Sequence, residues 1–305
     1  MFRCQALVTI RICYITFRMP TVNQIYIGTS GWSYPKGEGT WNGYFYPPGT
    51  KNELGFYCEF FNAVEINSSF YAPINPGYAQ SWVKKTPPNF KFTAKLWQKF
   101  THPAMSESIT GEIAAISTED VRLFISGIEP LAQSGKLGAI LVQFPPSFEE
   151  NPANKRIIQA VINTFGEYPL AIELRHRSWS DAPGTSQLLS EHNVAWVQID
   201  QPKFRFSISQ ELPNTSDIGY FRFHGRNAKD WWTGTNETKY RYLYSENEIH
   251  ELADRIKETA GKTKTLFAFF NNHWQAYAPR NAGDLRKAMQ LSFPDFQVQV
   301  FPQMD

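Results

Sequence analysis

Residues 169–179, PLAIELRHRSW, place ionisable side chains at the end of an apolar run. The run LAI is typical of a strand buried on both faces, and Glu173, Arg175, His176 and Arg177 follow it. Unpaired charges at the end of a buried strand are costly in free energy, so such a cluster is rarely kept for packing alone. The segment therefore predicts a site that binds anions or transfers protons.

Other apolar runs also end in polar side chains. Because alternate residues of a strand point to the same side, Glu65 and Asn67 should face the interior of the fold together, and so should Gln198 and Asp200. The candidate catalytic residues, as general acids, bases or metal ligands, are Glu65, Glu173, Asp200 and His224. The candidate substrate-binding residues are Trp32, Asn67, Lys95, Gln143, Arg175, His176, Arg222, Arg226, Asn271 and Asn272.

Each candidate also has a purely structural interpretation. Glu173 and Arg175 could form only a buried ion pair, and Glu65 could fill an interior layer while bonded to neighbouring backbone. Lys95 would either extend its ammonium group to solvent or bind an anion at the strand end. His224 stands late in the seventh predicted strand, where many barrels hold phosphate, and this position favours anion binding.

Two loops combine aromatic and basic side chains. Residues 31–48 carry tryptophan, tyrosine and phenylalanine between glycines and prolines, and residues 226–244 interleave aromatic residues with lysine and arginine. Flat aromatic faces beside cations suit stacking on sugars or nucleobases with phosphate contacts nearby. The alternative is that these aromatic residues only cover the top of the fold and the helix ends.

Short apolar or aromatic runs alternate with helical patterns, which is the signature of βαβ units on a parallel sheet. The predicted strands are residues 25–30, 63–70, 90–96, 137–144, 170–176, 194–200, 218–225 and 264–272. Capping residues predict helix starts at Ser117, Asn151, Ser245 and Asn281, and residues 201–217 show no helical period. No G-x-G-x-x-G follows the first strand, so a single-domain TIM-type (β/α)8 barrel is preferred to a doubly wound sheet. Its working face should lie at the carboxyl ends of the strands.

Composition narrows the class of protein. The 305 residues are 42% hydrophobic and 15% aromatic, enough for a large core, and no run approaches the roughly 18 apolar residues of a membrane span. A net charge of +2 does not indicate nucleic-acid binding, although a local basic patch is compatible with it. The 3 cysteines have no CxxC spacing, which favours a reducing, cytoplasmic location over a disulfide framework or a cysteine-based zinc site.

No cofactor is evident in the sequence. The 6 histidines are scattered and no H-E-x-x-H motif occurs. Glu65, Glu173 and Asp200 with strand-end histidines nevertheless leave room for a divalent metal. The alternative is that neighbouring basic residues neutralise these carboxylates directly.

The first residues are set apart from the barrel pattern. Residues 1–22 alternate apolar and basic side chains, lack the features of a secretory signal, and are predicted to form a poorly ordered extension before a barrel domain at residues 23–305. A targeting-like leader, an extra edge strand and an upstream start codon all fit this stretch. A true start at Met19 is favoured, because the globular pattern begins just afterwards at Ile25.

Seven motifs occur in a distinctive order: IGTSGWSY, EINSSFY, FKFTAKL, VQFPPSF, AIELRHRSW, FRFHGR and FFNN. From about Ile25 to near the end of the chain, they resemble the YecE-like family, also called domain of unknown function 72. The resemblance implies a TIM barrel but no particular reaction, and His273 inherits no role from it. The family pattern carries onto the site-lining positions Ser30, Gly31, Trp32, Glu65, Asn67, Lys95, Gln143, Glu173, Arg175, His176, Asp200, Arg222, His224, Gly225, Asn271 and Asn272.

Two functions fit these features. The first is an enzyme of hydrolase or isomerase type that acts on a phosphorylated, sugar-containing or nucleotide-like small molecule; a glycosidase would need two carboxylates about 5–5.5 Å or 6.5–9.5 Å apart. The second is a non-catalytic binder of nucleic acid or a phosphorylated ligand. Carboxylates that converge on a common ligand favour the enzyme, whereas carboxylates all paired with arginine or lysine favour the binder. The oligomeric state is left open.

Overall fold

The computed structural model describes residues 24–102 and 116–292, in which nine parallel strands form a nearly closed barrel. The strands are β1 (Gln24–Ser30), β2 (Ala63–Ile66), β3 (Lys91–Lys95), β4 (Leu137–Gln143), β5 (Leu170–Glu173), β6 (Ala195–Trp196), β7 (Gln198–Asp200), β8 (Ile218–Phe223) and β9 (Thr265–Phe270). Their order around the barrel is β6-β5-β4-β3-β2-β1-β9-β8-β7. The extension predicted at residues 1–22 lies outside the described residues.

Strands β6 and β7 are two halves of one predicted strand. Only Val197 separates them, and its amide donates to the Ile172 carbonyl oxygen at 3.0 Å. Through this short break the chain passes from pairing with β5 to pairing with β8. The single-domain TIM-type barrel is therefore confirmed, with its sixth predicted strand divided in two.

Helices surround the barrel and bury one apolar side against it. In the described ranges they are α1 (Glu53–Phe60), α2 (Pro76–Lys85), α3 (Thr118–Gln133), α4 (Pro152–Phe165), α5 (Arg177–Asp181), α6 (Gly184–Glu191), α7 (Asn236–Lys239), α8 (Glu246–Ala260) and α9 (Tyr277–Ser292). The side chains of Ser117, Asn151 and Ser245 each accept a hydrogen bond from an amide of the first helical turn, as their spacing predicts. None of these helices is long and apolar enough to cross a membrane.

The last helix begins earlier than its capping pattern predicts. Helix α9 begins at Tyr277, and Asn281 lies inside it rather than at its start. The Asn281 side chain is fully buried; its Oδ1 accepts from the Tyr244 amide at 3.0 Å and its Nδ2 donates to the Tyr244 carbonyl at 3.1 Å. The prediction of a helix start at Asn281 is wrong, because this side chain bonds to the backbone of a distant residue, Tyr244, and does not accept a hydrogen bond from an amide of a first helical turn.

The register between strands decides which side chains enter the barrel. Arg222 of β8 lies in the interior and is aligned with Ile199 of β7, whereas Asp200 is aligned with Phe223. Aligned residues of neighbouring strands point to the same side. Ile199 therefore faces the interior, and the prediction that Gln198 and Asp200 do so is wrong.

Both outward side chains find partners outside the barrel. Gln198 Nε2 donates to the Leu212 carbonyl oxygen at 2.7 Å, and Asp200 Oδ2 lies 3.5 Å from Arg255 Nη1 on α8. Because these partners come from a loop and a helix distant in the chain, the polar character of a strand end does not reveal the side that it faces.

Gly28 marks the tightest approach between β1 and β2, and we expect Gly28→Ala to destabilise the protein. A Cβ atom there would lie 2.0 Å from the Ala63 carbonyl oxygen and 2.7 Å from the Tyr57 hydroxyl. Such overpacking typically costs about 1–3 kcal/mol of unfolding free energy, which urea titration would measure. Gly184→Ala, where the nearest atom would be 3.9 Å away, is the matched control. Equal stability of both variants would contradict this account of the β1–β2 contact.

Candidate active site at the barrel mouth

Arg222, near the carboxyl end of β8, joins two carboxylates in the centre of the barrel. Its Nε and Nη2 donate to Glu65 Oε2 and Oε1 at 3.0 and 2.7 Å, and its Nη1 donates to Glu173 Oε2 at 2.6 Å. Arg222 is 2% exposed and both glutamates are 0% exposed. A planar guanidinium suits this pairing, and each buried ion has the partners that burial requires.

Neutral side chains complete the hydrogen bonding of this cluster. Gln143 Oε1 at the end of β4 accepts from Arg222 Nη1 at 3.0 Å. The Tyr220 hydroxyl donates to Glu65 Oε2 at 2.8 Å and lies 2.8 Å from the Thr93 hydroxyl oxygen. The cluster thus connects side chains from β2, β3, β4, β5 and β8.

The ion network keeps Glu173 ionised. Burial alone would raise the pKa of the Glu173 carboxyl, but the positive charges of Arg175 and Arg222 hold this pKa well below its usual range. Burial would likewise lower the pKa of Arg222, yet the charges of Glu173 and Glu65 raise it. A carboxylate that stays ionised and paired is a poor proton donor at neutral pH.

Arg175 and His224 form a second layer beside the Glu173 carboxylate. Arg175 Nε donates to Glu173 Oε1 at 2.6 Å, and Arg175 Nη2 lies 3.4 Å from His224 Nε2. The other ring nitrogen of His224, Nδ1, lies 3.0 Å from Asn271 Nδ2. Burial, followed by the charges of Arg222 and Arg175, lowers the pKa of His224 well below its usual value. The ring is therefore neutral at physiological pH.

Lys95, at the end of β3, has no anionic partner within the described ranges. Its Nζ lies 3.9 Å from the centroid of the Phe70 ring and forms neither an ion pair nor a hydrogen bond with any described residue. Burial, followed by the positive charge of Arg222, lowers the pKa of Lys95 to about 7. The side chain is partly exposed at the carboxyl ends of the barrel strands, which we call the mouth. A ligand can therefore reach an amine that is partly uncharged at neutral pH.

Aromatic side chains from the loop after β8 form one wall of the mouth. The ring centroids of Tyr240 and Trp231 lie 6.1 and 6.3 Å from that of His224. Lys239 Nζ lies 4.4 Å from the centroid of Trp231. Lys239 Nζ also lies 5.5 Å from the centroid of Tyr240, so this ammonium group lies on the same aromatic wall. Burial, and then the charge of Arg175, lowers the pKa of Lys239.

Tyr34 belongs to the mouth on the side of β1. Its hydroxyl donates to the Ser30 carbonyl oxygen at 2.5 Å, and its ring stacks on His273 with centroids 4.8 Å apart. Burial raises the pKa of this hydroxyl, and the Asn67 side chain acts in the opposite direction, which places Asn67 beside Tyr34. Ser30 is aligned with Glu65, so its side chain faces the same interior. The Ser30 hydroxyl is buried and has no partner among the described residues.

Three residues of the mouth lie outside the predicted site positions, namely Tyr34, Lys239 and Tyr240, whereas Ser30 is a site-lining position that the family pattern implies. The available signal for these three was weak, because they are distinguished only by belonging to the aromatic and basic loops. Which side chains of those loops turn inward depends on contacts with other strands, and a single sequence does not reveal them.

The mouth carries more positive than negative side chains. Its described carboxylates are Glu65 and Glu173, and its cations are Lys95, Arg175, Arg222 and Lys239. A cleft lined by an excess of one charge, with low-dielectric walls, attracts ligands of the opposite charge.

Asp200 and Arg226 form a separate cluster on the outer side of the barrel. Arg226 Nε and Nη2 each donate to the Asp200 carboxylate at 3.0 Å, and the Tyr244 hydroxyl donates to Asp200 Oδ1 at 2.8 Å. Arg226 also pairs with Glu248 of α8 at 3.0 Å. The structure does not bring these two predicted site residues to the mouth, because the strand register turns Asp200 towards α8.

Three further predicted residues are also engaged elsewhere. The Trp32 ring packs edge-on against Trp82, with centroids 5.1 Å apart. His176 caps the start of α5 through its side chain, and Asn272 Nδ2 donates to the Tyr242 carbonyl oxygen at 2.8 Å. The predicted residues that do converge on the central cluster are Glu65, Lys95, Gln143, Glu173, Arg175, Arg222, His224 and Asn271.

Across residues 24–102 and 116–292, no group of three or more His, Cys, Asp or Glu side chains is arranged to hold a metal ion. The carboxylates considered as metal ligands are bound by basic residues instead, Glu65 and Glu173 by Arg222 and Asp200 by Arg226.

Comparison with known proteins identifies the family. Residues 26–304 match the family described as "Protein of unknown function DUF72". The chain belongs to this family. It is 31% identical over 282 residues to the UPF0759 protein YunF of Bacillus subtilis, covering 88% of this chain and 96% of that protein. The UPF0759 protein YecE of Escherichia coli K12 is 29% identical over 155 residues, which are 50% of this chain and 48% of that protein.

Solved structures of the DUF72 family have the same fold. A DUF72 family protein from Thermotoga maritima matches with a TM-score of 0.77 and 33% identity, covering 88% of this chain and 100% of that one. A DUF72 family protein from Enterococcus faecalis matches with a TM-score of 0.75 and 27% identity, covering 92% and 100%. The predicted family is confirmed, and because it is uncharacterised, these relatives identify the fold and not a substrate.

We expect Arg222→Met to destabilise the protein far more than the loss of a surface ion pair. The substitution leaves the buried Glu65 without a cationic partner among the described residues and leaves Glu173 with Arg175 alone, and breaking such a buried pair costs about 3–5 kcal/mol. Lys264→Met, which breaks an exposed pair with Asp217, is the control and should cost about 0–1 kcal/mol. Urea unfolding of both variants measures the difference. Similar losses in the two variants would refute the central role of Arg222.

Proposed function

We propose that this DUF72 protein is an enzyme that binds a small phosphorylated, sugar-containing or nucleotide-like substrate at the barrel mouth and uses Lys95 as its reactive base. The observation that carries the proposal is the amine of Lys95, which has a pKa of about 7 and no ion-pair partner among the described residues, beside carboxylates that are both bound to Arg222. A general base is most effective when its pKa lies near the working pH. Isomerisation or hydrolysis is the reaction type that we assign.

The excess of positive charge supports an anionic substrate. Lys95 and Lys239 are both held near arginines, and the like charges contribute to the lowering of both pKa values. A bound phosphate or carboxylate would neutralise this repulsion, so the free energy of binding includes its relief. The carboxyl ends of the strands are also where barrel enzymes bind their substrates.

The aromatic walls support a substrate with a flat or ring-shaped part. Tyr34, Trp231 and Tyr240 present rings around the interior cluster. Sugar rings and nucleobases pack well on such surfaces. Recognition would then combine ring packing at the walls with anion binding by the cations below them.

Because the interior carboxylates are paired with arginine, we assign the acid–base role to Lys95 instead. A glycosidase needs one carboxyl whose pKa is raised so that it can donate a proton. The pKa of Glu173 is instead held well below its usual range by Arg175 and Arg222. Paired carboxylates by themselves would favour a binding protein, and Lys95 is the reason to prefer an enzyme.

Lys95→Met should abolish most of the activity found by screening phosphorylated sugars and nucleotides. Loss of a general base lowers turnover by roughly 10²–10⁴-fold. For the wild type, kcat/KM should fall as the pH decreases through about 7, because the protonated amine cannot accept a proton. Lys264→Met, which alters only a surface pair, should retain the wild-type rate. A folded Lys95→Met protein with full activity would rule out this role for Lys95.

A second candidate function is non-catalytic binding of single-stranded nucleic acid. It is favoured by Phe204, Arg205, Phe206 and Trp232, which we call the rim. Phe206 and Trp232 are 58% and 64% exposed. The Phe204 ring lies 5.3 Å from Trp232, and the Arg205 guanidinium lies 5.4 Å from the Phe206 ring. Exposed aromatic rings beside cations suit the stacking of unpaired bases.

Fluorescence anisotropy with a labelled single-stranded oligonucleotide tests this second function. We expect Phe206→Ala and Trp232→Ala each to weaken binding by about 1–3 kcal/mol, the usual contribution of a stacked base. Tyr78→Ala, at a position 66% exposed on α2, is the matched control. Unchanged affinity in the Phe206→Ala, Trp232→Ala double variant would exclude the rim as a nucleic-acid site.

A further inference from the structure

We infer that the Lys95 amine forms a covalent imine with the carbonyl carbon of a substrate that also carries an anionic group. The inference rests on the proposed function, because it places the same substrate at the same mouth. It adds a nucleophilic role for Lys95 and narrows the substrate to aldehydes or ketones that bear a carboxylate or a phosphate.

The surroundings of Lys95 suit a nucleophile better than a charge-pairing group. A lysine beside a free carboxylate remains protonated, but Glu65 and Glu173 are both bound to Arg222. Lys95 Nζ faces the Phe70 ring at 3.9 Å, a contact that removes water without offering a hydrogen-bond acceptor. Burial of this kind, next to other cations, is the usual way in which proteins activate a lysine for attack on a carbonyl group.

The ring that Lys95 faces is itself packed against a neutral group. The His102 ring contacts Phe70 edge-on, with centroids 5.0 Å apart. Burial and then the positive charge of Lys95 lower the pKa of His102 to about 4, so this ring is neutral at physiological pH. On the interior side, burial and the charges of Arg222 and Arg175 lower the pKa of Lys95. The carboxylates of Glu173 and Glu65 raise it, and the net effect is a lowered pKa.

The mouth also holds groups that can bind the other parts of such a substrate. The Ser30 hydroxyl is buried, faces the interior and lacks a partner among the described residues, so it can donate to the carbonyl oxygen. Arg175 and Lys239 can bind the anionic group. A single small molecule with a carbonyl and an anion would thus engage the free amine, the free hydroxyl and the excess cations.

Imine formation requires only the Lys95 amine and the carbonyl compound. The uncharged Lys95 amine adds to the carbonyl carbon, and a carbon–nitrogen double bond replaces the carbon–oxygen double bond. Both protons of the amine leave with the carbonyl oxygen as water. The imine nitrogen then takes up a proton from solvent, and the resulting cation withdraws electrons from the neighbouring carbon. A water molecule can then accept the proton of that carbon and return one to another carbon, which fits an isomerisation.

Borohydride trapping on the full chain tests the inference. Pyruvate and dihydroxyacetone phosphate serve as the carboxylate and phosphate probes, and hydroxyacetone serves as the uncharged control. Peptide mass spectrometry should find the reduced adduct at Lys95, formed at pH 7 with an initial rate on the order of 100-fold or more above that of solvent-exposed lysines, because an unperturbed lysine is almost fully protonated there. Lys95→Arg should give no such adduct, and Lys264→Met should react like the wild type.

Binding measurements distinguish a failure of the imine from a failure of the proposed function. Calorimetry without borohydride measures binding of the two anionic probes to the wild type and to Lys239→Met, in which we expect weaker binding. Binding without an adduct at Lys95 overturns the imine and leaves the proposed function standing, whereas the absence of both overturns both. Equal labelling of many lysines also overturns the imine.

A measurement on the wild type alone guards against misfolding of Lys95→Arg. Adduct formation at Lys95 should increase as the pH rises through about 7, whereas labelling of surface lysines should increase only towards about pH 10. The same pH dependence for Lys95 and for surface lysines overturns the imine.

Discussion

The pairing of Arg222 with Glu65 and Glu173 is the interaction on which the mouth of this barrel depends. Buried charges are tolerated only when each has partners, and here one guanidinium satisfies two carboxylates from β2 and β5. Gln143 from β4 and Tyr220 from β8 occupy further hydrogen-bonding positions of the same ions. Ion pairs between side chains thus connect β2, β5 and β8 at one level of the barrel, in addition to the backbone hydrogen bonds between neighbouring strands.

This pairing also determines which chemistry is available. Because Arg222 binds both interior carboxylates, these groups are already paired with a cation and are not free to bind a metal. Among the described residues, Lys95 is left beside Phe70 without an ion-pair partner, buried and in the field of the same arginines. This arrangement accounts for the excess positive charge of the mouth, and together with burial it lowers the pKa of Lys95 and favours the reactivity that we propose for it.

The outer cluster and one turn position the loop that forms the aromatic wall. Asp200 and Arg226 connect the end of the barrel to α8, and the Tyr244 hydroxyl bonds to Asp200 and to the Gly225 amide. Gly225 has a φ of +85°, and a Cβ atom there would lie 2.6 Å from Tyr242 Cβ, so only glycine fits this turn. The turn directs the following residues back over His224, which is how Tyr240 reaches the mouth.

The sequence by itself determined the eight strand segments, the starts of α3, α4 and α8, and the family, because apolar alternation and capping bonds are local properties of the chain. It also placed Glu173, Arg222 and Lys95 at strand ends. Only the tertiary structure decided that Asp200 faces outwards and that Lys95 lacks an anionic partner among the described residues. The physical reason is that strand register and the pKa of a buried amine depend on contacts and charges supplied by other strands.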